Sequence, residues 1–147
     1  MRPFQVMILP FKIDSDSLWV YVFQRKLEQF WQFVAGGGEG GENPTQAAVR
    51  ELAEETSIST CTNLIELDTV SSIPINVFEN CHNWDEDIFV IPEYSFAANI
   101  SDAGIRLSHE HLSYRCVQPD AAKQLLKFDS NKTALFELEQ RFNLGKV

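Results

Sequence analysis

A nearly continuous apolar run, Phe4 to Ile13, is followed after a short polar break by a second run, Leu18 to Phe23, rich in aromatic and β-branched residues. Both predict strands, joined by a turn over Asp14 to Ser17. Pro10 places the first at a sheet edge or beside a bulge, because proline gives the ladder no donor. Trp31 to Ala35 predicts a short extended piece leading into glycines. Leu64 to Val70, Ile75 to Phe78, Ile88 to Ala98 (with Pro92) and Tyr114 to Val117 predict further strands.

Helical periodicity appears in three places. Asn43 to Thr56 has a specified start: Asn43 suits the N-cap, Pro44 the first helical position, and Gln46 sits where it can reach back to the cap. Val49, Leu52 and Thr56 lie toward one side and are expected to pack on a sheet. Pro119 to Leu126 is a second helix. A third begins near Ser130, capped by Ser130 or Asp129, with Leu135, Leu138 and Phe142 along one side. Strands with helices at intervals predict a mixed sheet covered by helices, in a single domain spanning 1–147.

Composition narrows the class. The 147 residues are 44% hydrophobic, enough for one core, and carry a formal charge of −9. Such an acidic surface argues against binding duplex nucleic acid, which demands a basic one. It leaves room for an anionic small molecule, since a bound cation inverts the local field. Cys61, Cys81 and Cys116 form neither a redox pair nor a zinc knuckle, and are expected as small hydrophobes in a reducing compartment. The apolar start is too short for a membrane span and shows no clear signal-peptide cleavage site. The expectation is a soluble, cytoplasmic protein without membrane contact, monomeric or homodimeric.

The chemistry concentrates in GGGEGGENPTQAAVRELAEETSI, Gly36 to Ile58. Glu51, Glu54 and Glu55 share one helical face, at a cost of roughly 0.2–0.5 kcal/mol for each like-charge pair. They also lie toward the helix C-terminus, where anions are disfavoured. Arg50 can reach Glu54 but cannot satisfy all three, whereas a divalent cation can. An all-oxygen donor set favours Mg²⁺ or Mn²⁺. Ala47 and Ala48, one turn earlier, are small enough to leave room for an ion and its ligand, and the glycines allow a loop that approaches a phosphate closely. The competing reading is a solvated acidic helix face without a metal.

These residues resemble the signature of the Nudix hydrolases. That signature has glycine, five residues, glutamate, seven residues, Arg-Glu, an aliphatic residue, one residue, Glu-Glu, one residue, glycine and a further aliphatic residue. Gly36, Glu42, Arg50-Glu51, Leu52, Glu54-Glu55 and Ile58 match it, and Ser57 stands where the family has glycine. QRKLEQFWQFVAGG resembles the family's lead-in, with Ala35 where proline is frequent. LSHEHLSYRCV and the segment after it resemble the tail of a subgroup containing dihydroneopterin triphosphate pyrophosphatases and dATP pyrophosphohydrolases, with Cys116 in place of a common tryptophan.

The resemblance implies an α/β/α sandwich, the Nudix fold with its mixed sheet between helices. It also implies a divalent-metal pyrophosphohydrolase that cleaves a nucleoside or dihydroneopterin triphosphate to the monophosphate and pyrophosphate. Glu51, Glu54 and Glu55 would hold the metal. Glu110 matches a distant glutamate that either joins them or orients the attacking water, and one of these glutamates would be the base. Arg50 would orient carboxylates, and Glu42 would pair with it or complete the metal shell. Gly36, Gly37 and Gly38 would face phosphate, with Arg25 and Lys26 as candidates to reach it.

Trp84 could stack on a base or be an ordinary half-buried loop tryptophan, and Phe4 and Phe33 could line the same pocket or belong to the core. His109 and His111 flank Glu110 but are read as loop residues rather than a metal pair. Asp85, Glu86 and Asp87 are read as solvated. Three alternatives remain open: the same chemistry on a dinucleoside polyphosphate or capped end, a catalytically silent binding module, or an acidic domain without metal.

Overall fold

The computed structural model describes residues 2–59, 64–101 and 104–147. Seven strands form one mixed sheet: β1 (Gln5–Asp14), β2 (Ser17–Arg25), β3 (Trp31–Gln32), β4 (Val34–Gly37), β5 (Leu64–Pro74), β6 (Val90–Asn99) and β7 (His111–Val117). Helix α1 (Pro44–Thr56) packs on one face, and α2 (Pro119–Leu125) and α3 (Asp129–Asn143) on the other. This is the expected α/β/α arrangement of the Nudix fold.

The strand order is β3-β2-β1-β6-β5, with β4 also on β1 and β7 also on β2. β1 lies at the centre, parallel to β6 and antiparallel to its other partners. It pairs with β2 only over Phe11 to Asp14, beside the Asp14–Ser17 turn where Ser15 and Asp16 both take positive φ. Over Gln5 to Ile8 it pairs instead with β4. Pro10 sits at the changeover between these antiparallel partners. The expectation of an edge or bulge is therefore corrected: a central strand accommodates the proline where that side of its ladder is interrupted.

β2 takes β3 where it leaves β1, and Phe33 carries the chain across the opening from β3 to β4. Phe33 is fully buried, and its N–H donates to Asn131 Oδ1 of α3 at 2.8 Å. Alternation along the strands divides the core. Met7, Leu9, Phe11, Val20, Val22 and Phe33 pack toward α2 and α3, while Phe4, Val6, Ile8, Phe23 and Val34 pack toward α1.

Several local expectations change. Ile75–Val77 is a 3₁₀ turn closed by Phe78 N–H donating to Ile75 O, because β5 runs on to Pro74 and ends there. Asp129 and Ser130 do not cap α3: the N-cap is Phe128, without a side-chain hydrogen bond, and Asp129 already lies in the first turn. Glu137, which the pattern did not single out, ties α3 to β5. Its carboxylate accepts from Asp68 N–H, Thr69 N–H and Thr69 Oγ1 where β5 loses register. Val49 is exposed rather than packed on the sheet. The buried side of α1 is Ala47, Ala48, Glu51, Leu52, Glu55 and Thr56.

Cys81 and Cys116 are free and half-buried, and Cys61 lies outside the described residues. Among the described residues no helix is long and apolar enough to cross a membrane.

Ser57 keeps the helix exit that glycine would provide. It sits at φ 64°, ψ 17°, in the left-handed region, with its N–H on Ala53 O. A non-glycine residue there is strained by about 1–2 kcal/mol. Ser57→Gly is therefore expected to stabilise the fold by about 0.5–1 kcal/mol, after the extra chain entropy of glycine is counted. Urea denaturation of the two proteins measures it.

Candidate active site

The loop before α1 is built by its own hydrogen bonds. Asn43 Oδ1 accepts from Gln46 N–H at 2.8 Å, and Gln46 Oε1 accepts from Asn43 N–H at 2.9 Å, closing the capping box expected from the sequence. Two glycines are required by close approach. A Cβ on Gly36 would lie 2.0 Å from the Glu51 carboxyl carbon, and one on Gly38 would lie 2.3 Å from the Phe4 ring. Gly36 thus makes room for a carboxylate of the protein itself. Ala47 and Ala48 leave no space for an ion, because both are fully buried against the sheet.

Arg50 gathers the carboxylates. Its Nε and Nη2 donate to Glu42 at 2.7 and 3.0 Å, Nη1 donates to Glu51 at 2.9 Å and Glu54 at 3.1 Å, and Nη2 also donates to Gly37 O at 2.8 Å. Glu39 is a further contact at 3.4 Å. Beyond the Glu54 and Glu42 contacts expected, the arginine also reaches Glu51, Glu39 and Gly37 O. Its hydrogen bond holds the Glu42 carboxyl below the usual range, aided by Glu39 N–H, and Arg50 itself is held firmly charged.

The three glutamates of the helix occupy different environments. Glu51 is buried, and burial pushes its pKa up to about 7, with Arg50 offsetting only part of the cost. Glu54 is open to solvent, with its side chain 54% exposed. Glu55 is buried, and its Oε2 accepts from Ser108 Oγ at 2.7 Å and lies 2.9 Å from His111 Nδ1. Burial pushes the Glu55 pKa up, but the His111 and Ser108 contacts outweigh it and leave the carboxyl below its ordinary value.

The segment that delivers these partners also closes the end of α1. Arg106 N–H donates to Thr56 O, and Ser108 N–H to Glu55 O. The same segment brings Glu110 in, its backbone O accepting from Lys26 N–H and its carboxylate 3.5 Å from Arg25 Nη1. His109 is exposed. His111 is buried beside the Phe23 ring, close to Glu55 but off the line of a hydrogen bond, and its Nε2 has no partner. His111, read from the sequence as a loop residue beside Glu110, instead begins β7 and is a neighbour of Glu55.

On the opposite face of the sheet, beside α3, lies a cavity of about 510 Å³, within the range of small-molecule sites. Phe30, Phe33, Phe78 and Phe128 give it aromatic walls. Ala35, directly before Gly36, and Arg25, paired to Glu110, border it. Trp84 does not line it. The Trp84 ring packs on Phe78, 5.5 Å between centroids, and Phe78 forms the wall. Phe4 belongs to the core on the other face. Glu93, also missed from the sequence, lines the cavity while 4% exposed. Its signal was a lone charge inside an apolar strand. Asp85, Glu86 and Asp87 are exposed, as expected.

The donor set suits a hard divalent cation in kind: carboxylate oxygens only, one of them a buried acid whose charge Arg50 compensates incompletely. Among the described residues, however, no three His, Cys, Asp or Glu side chains converge on one point. Arg50 holds Glu51 and Glu54, Ser108 and His111 hold Glu55, and Arg25 holds Glu110.

Comparison with known proteins agrees with this architecture. Residues 1–138 match the NUDIX domain family model. A NUDIX hydrolase structure from Listeria monocytogenes superposes with a TM-score of 0.87 at 38% identity, covering 99% of this chain and 97% of that one. The dihydroneopterin triphosphate diphosphatase of Escherichia coli K12 is 28% identical over 137 residues, covering 91% of this chain and 90% of that protein. A Caenorhabditis elegans Ap4A hydrolase, at 17% identity and a TM-score of 0.74, covers 97% of this chain and 98% of its own, and shows the shared fold alone. The chain belongs to the NUDIX domain family and is a pyrophosphohydrolase-type enzyme acting on phosphoric anhydride bonds. The family commonly employs divalent cations.

The environment of Glu51 gives a signed pH effect. Its folded-state pKa of about 7 lies above the ordinary 4.5, so the folded protein holds the proton more tightly than the unfolded chain between those values. Stability is fully present below the lower value and falls as pH rises toward the higher one. Glu51→Gln removes that decline. In metal-free buffer with chelator, the variant is expected to gain about 2–3 kcal/mol on the wild type between pH 4.5 and 7. Denaturant titrations at pH 5 and pH 8 measure it.

Proposed function

We propose that this enzyme hydrolyses a nucleoside triphosphate or dihydroneopterin triphosphate to the monophosphate and pyrophosphate. The observation that carries the proposal is the adjacency of the aromatic cavity to the glycine loop. In this reading a flat ring in the cavity directs its phosphate chain past Arg25 and Ala35 toward Gly36, against which Glu51 of α1 lies. The likeness over most of both chains to the E. coli dihydroneopterin triphosphate diphosphatase supports the same substrate class.

In this reading Glu51, Glu54, Glu55 and Glu110 would hold Mg²⁺ or Mn²⁺, which when bound would neutralise charge at the phosphates and make water a better nucleophile. The protein supplies position. Arg50 fixes Glu42, Glu51 and Glu54 against Gly37 O, so the helix and the glycine loop keep one geometry. Arg25 stands between the cavity and Glu110, where it contacts phosphate. Water attacks phosphorus, the anhydride oxygen leaves with its electron pair on pyrophosphate, and a carboxylate takes the proton. Glu54 suits that role because its carboxylate is open to solvent.

A panel of nucleotide and pterin triphosphates with Mg²⁺ or Mn²⁺ tests the proposal. Pyrophosphate release is expected, and release of single phosphate or of nothing contradicts it. Glu54→Gln is expected to lower kcat/KM by about 10²–10⁴-fold with an unchanged melting temperature. A variant as active as the wild type removes Glu54 from the chemistry.

A further inference from the structure

Glu93 stands apart from the acidic cluster. It lies on β6, on the face that packs toward α3, opposite Gln5 of β1. Gln5 Nε2 donates to Glu93 Oε2 at 2.6 Å, and Oε1 is buried with no hydrogen-bond partner. A buried acceptor left unsatisfied costs about 1–3 kcal/mol, and more when it carries charge. Four described residue atoms share this condition: Glu93 Oε1, Ser95 Oγ and both ring nitrogens of His111. Of these residues only Glu93 lines the aromatic cavity.

The other polar groups at the α3 side of the cavity have their own tasks. Asn131 accepts from Phe33 N–H and donates to Ser130 Oγ, so both ends of its amide are committed. Glu93 is anchored by Gln5 through Oε2, its Oε1 is buried without a partner, and the residue lines a cavity walled by phenylalanines. Burial pushes the Glu93 pKa up, and the Gln5 hydrogen bond opposes this by favouring the ionised form. Further donors from a ligand would act in the same direction as Gln5.

We infer that Glu93 is the ring-recognition residue of this cavity and selects a heterocycle presenting a ring N–H beside an exocyclic amine, the edge shared by guanine and a reduced pterin. The inference rests on the cavity being the ring site of the proposed hydrolase. A carboxylate accepts at both oxygens, and two parallel donors on one edge match it with charge-assisted hydrogen bonds. Hypoxanthine keeps the ring N–H but lacks the amine. Adenine presents an acceptor where the ring N–H should be, and would face the carboxylate lone pair with its own.

Calorimetric titration of the wild type and Glu93→Gln with GMP, IMP, AMP and 7,8-dihydroneopterin tests this without turnover. GMP or dihydroneopterin is expected to bind the wild type at least tenfold more tightly than IMP and AMP. Tight binding of GMP alone points to a purine, and of dihydroneopterin alone to a pterin; either supports the inference. In Glu93→Gln the preference is expected to shrink below threefold, through weaker binding of the donor–donor ligand only. IMP or AMP bound as tightly as the best ligand, no binding at all, or equal weakening of every ligand in the variant overturns the inference. Should the variant not fold, the GMP-to-IMP comparison on the wild type decides alone. Because no hydrolysis is read, a failure here leaves the proposed reaction standing, and a failure of the reaction leaves this result interpretable.

Discussion

One guanidinium organises the acidic side of this protein. Arg50 touches Glu39, Glu42, Glu51 and Glu54, together with the carbonyl of Gly37. Without it, the helix would carry several unscreened acids next to a loop with little side-chain packing of its own. With it, loop and helix form one body, and Glu51 can lie against Gly36 in a buried position where its charge remains costly. A single monovalent charge cannot compensate several carboxylates. The unfilled remainder is the physical reason such a site suits a divalent cation.

The sheet connects that acidic side to the cavity. β1 and β2 separate beyond their turn, and the chain from β3 to β4 crosses the opening at Phe33. Adjacent residues of β4 therefore serve opposite faces: Ala35 borders the cavity, and Gly36 yields space to Glu51. A substrate with a flat ring at one end and anionic groups at the other fits this two-sided geometry. The segment through Ser108 and Glu110 completes it by closing the α1 terminus and pairing with Arg25.

Much of this was legible in the chain because it is local. The capping box at Asn43 and Gln46, the span of α1 and the carboxylate face follow from spacings within one helix. The lone signature departure, Ser57, proved harmless in geometry because serine takes the left-handed conformation there. What was hidden depends on contacts distant in sequence. The Glu55–Ser108 bond spans 53 residues, and Gln5–Glu93 spans 88. Val49 is exposed because the buried stripe of α1 runs through Ala47, Ala48, Glu51, Leu52, Glu55 and Thr56, and an apolar-only reading of the helix does not count buried acids in that stripe. Trp84, a candidate for stacking on a base or an ordinary loop tryptophan from the sequence, packs on Phe78, which lines the cavity.

The central proposal is that Glu51 and Glu54, held by Arg50, form a divalent-cation site together with Glu55. Anomalous diffraction from crystals soaked in manganese tests it most directly. The account predicts a manganese peak at the junction of glycine loop and helix, bounded by Glu51, Glu54 and Glu55. No peak there at saturating manganese, with the Arg50–Glu51 contact intact, would contradict it.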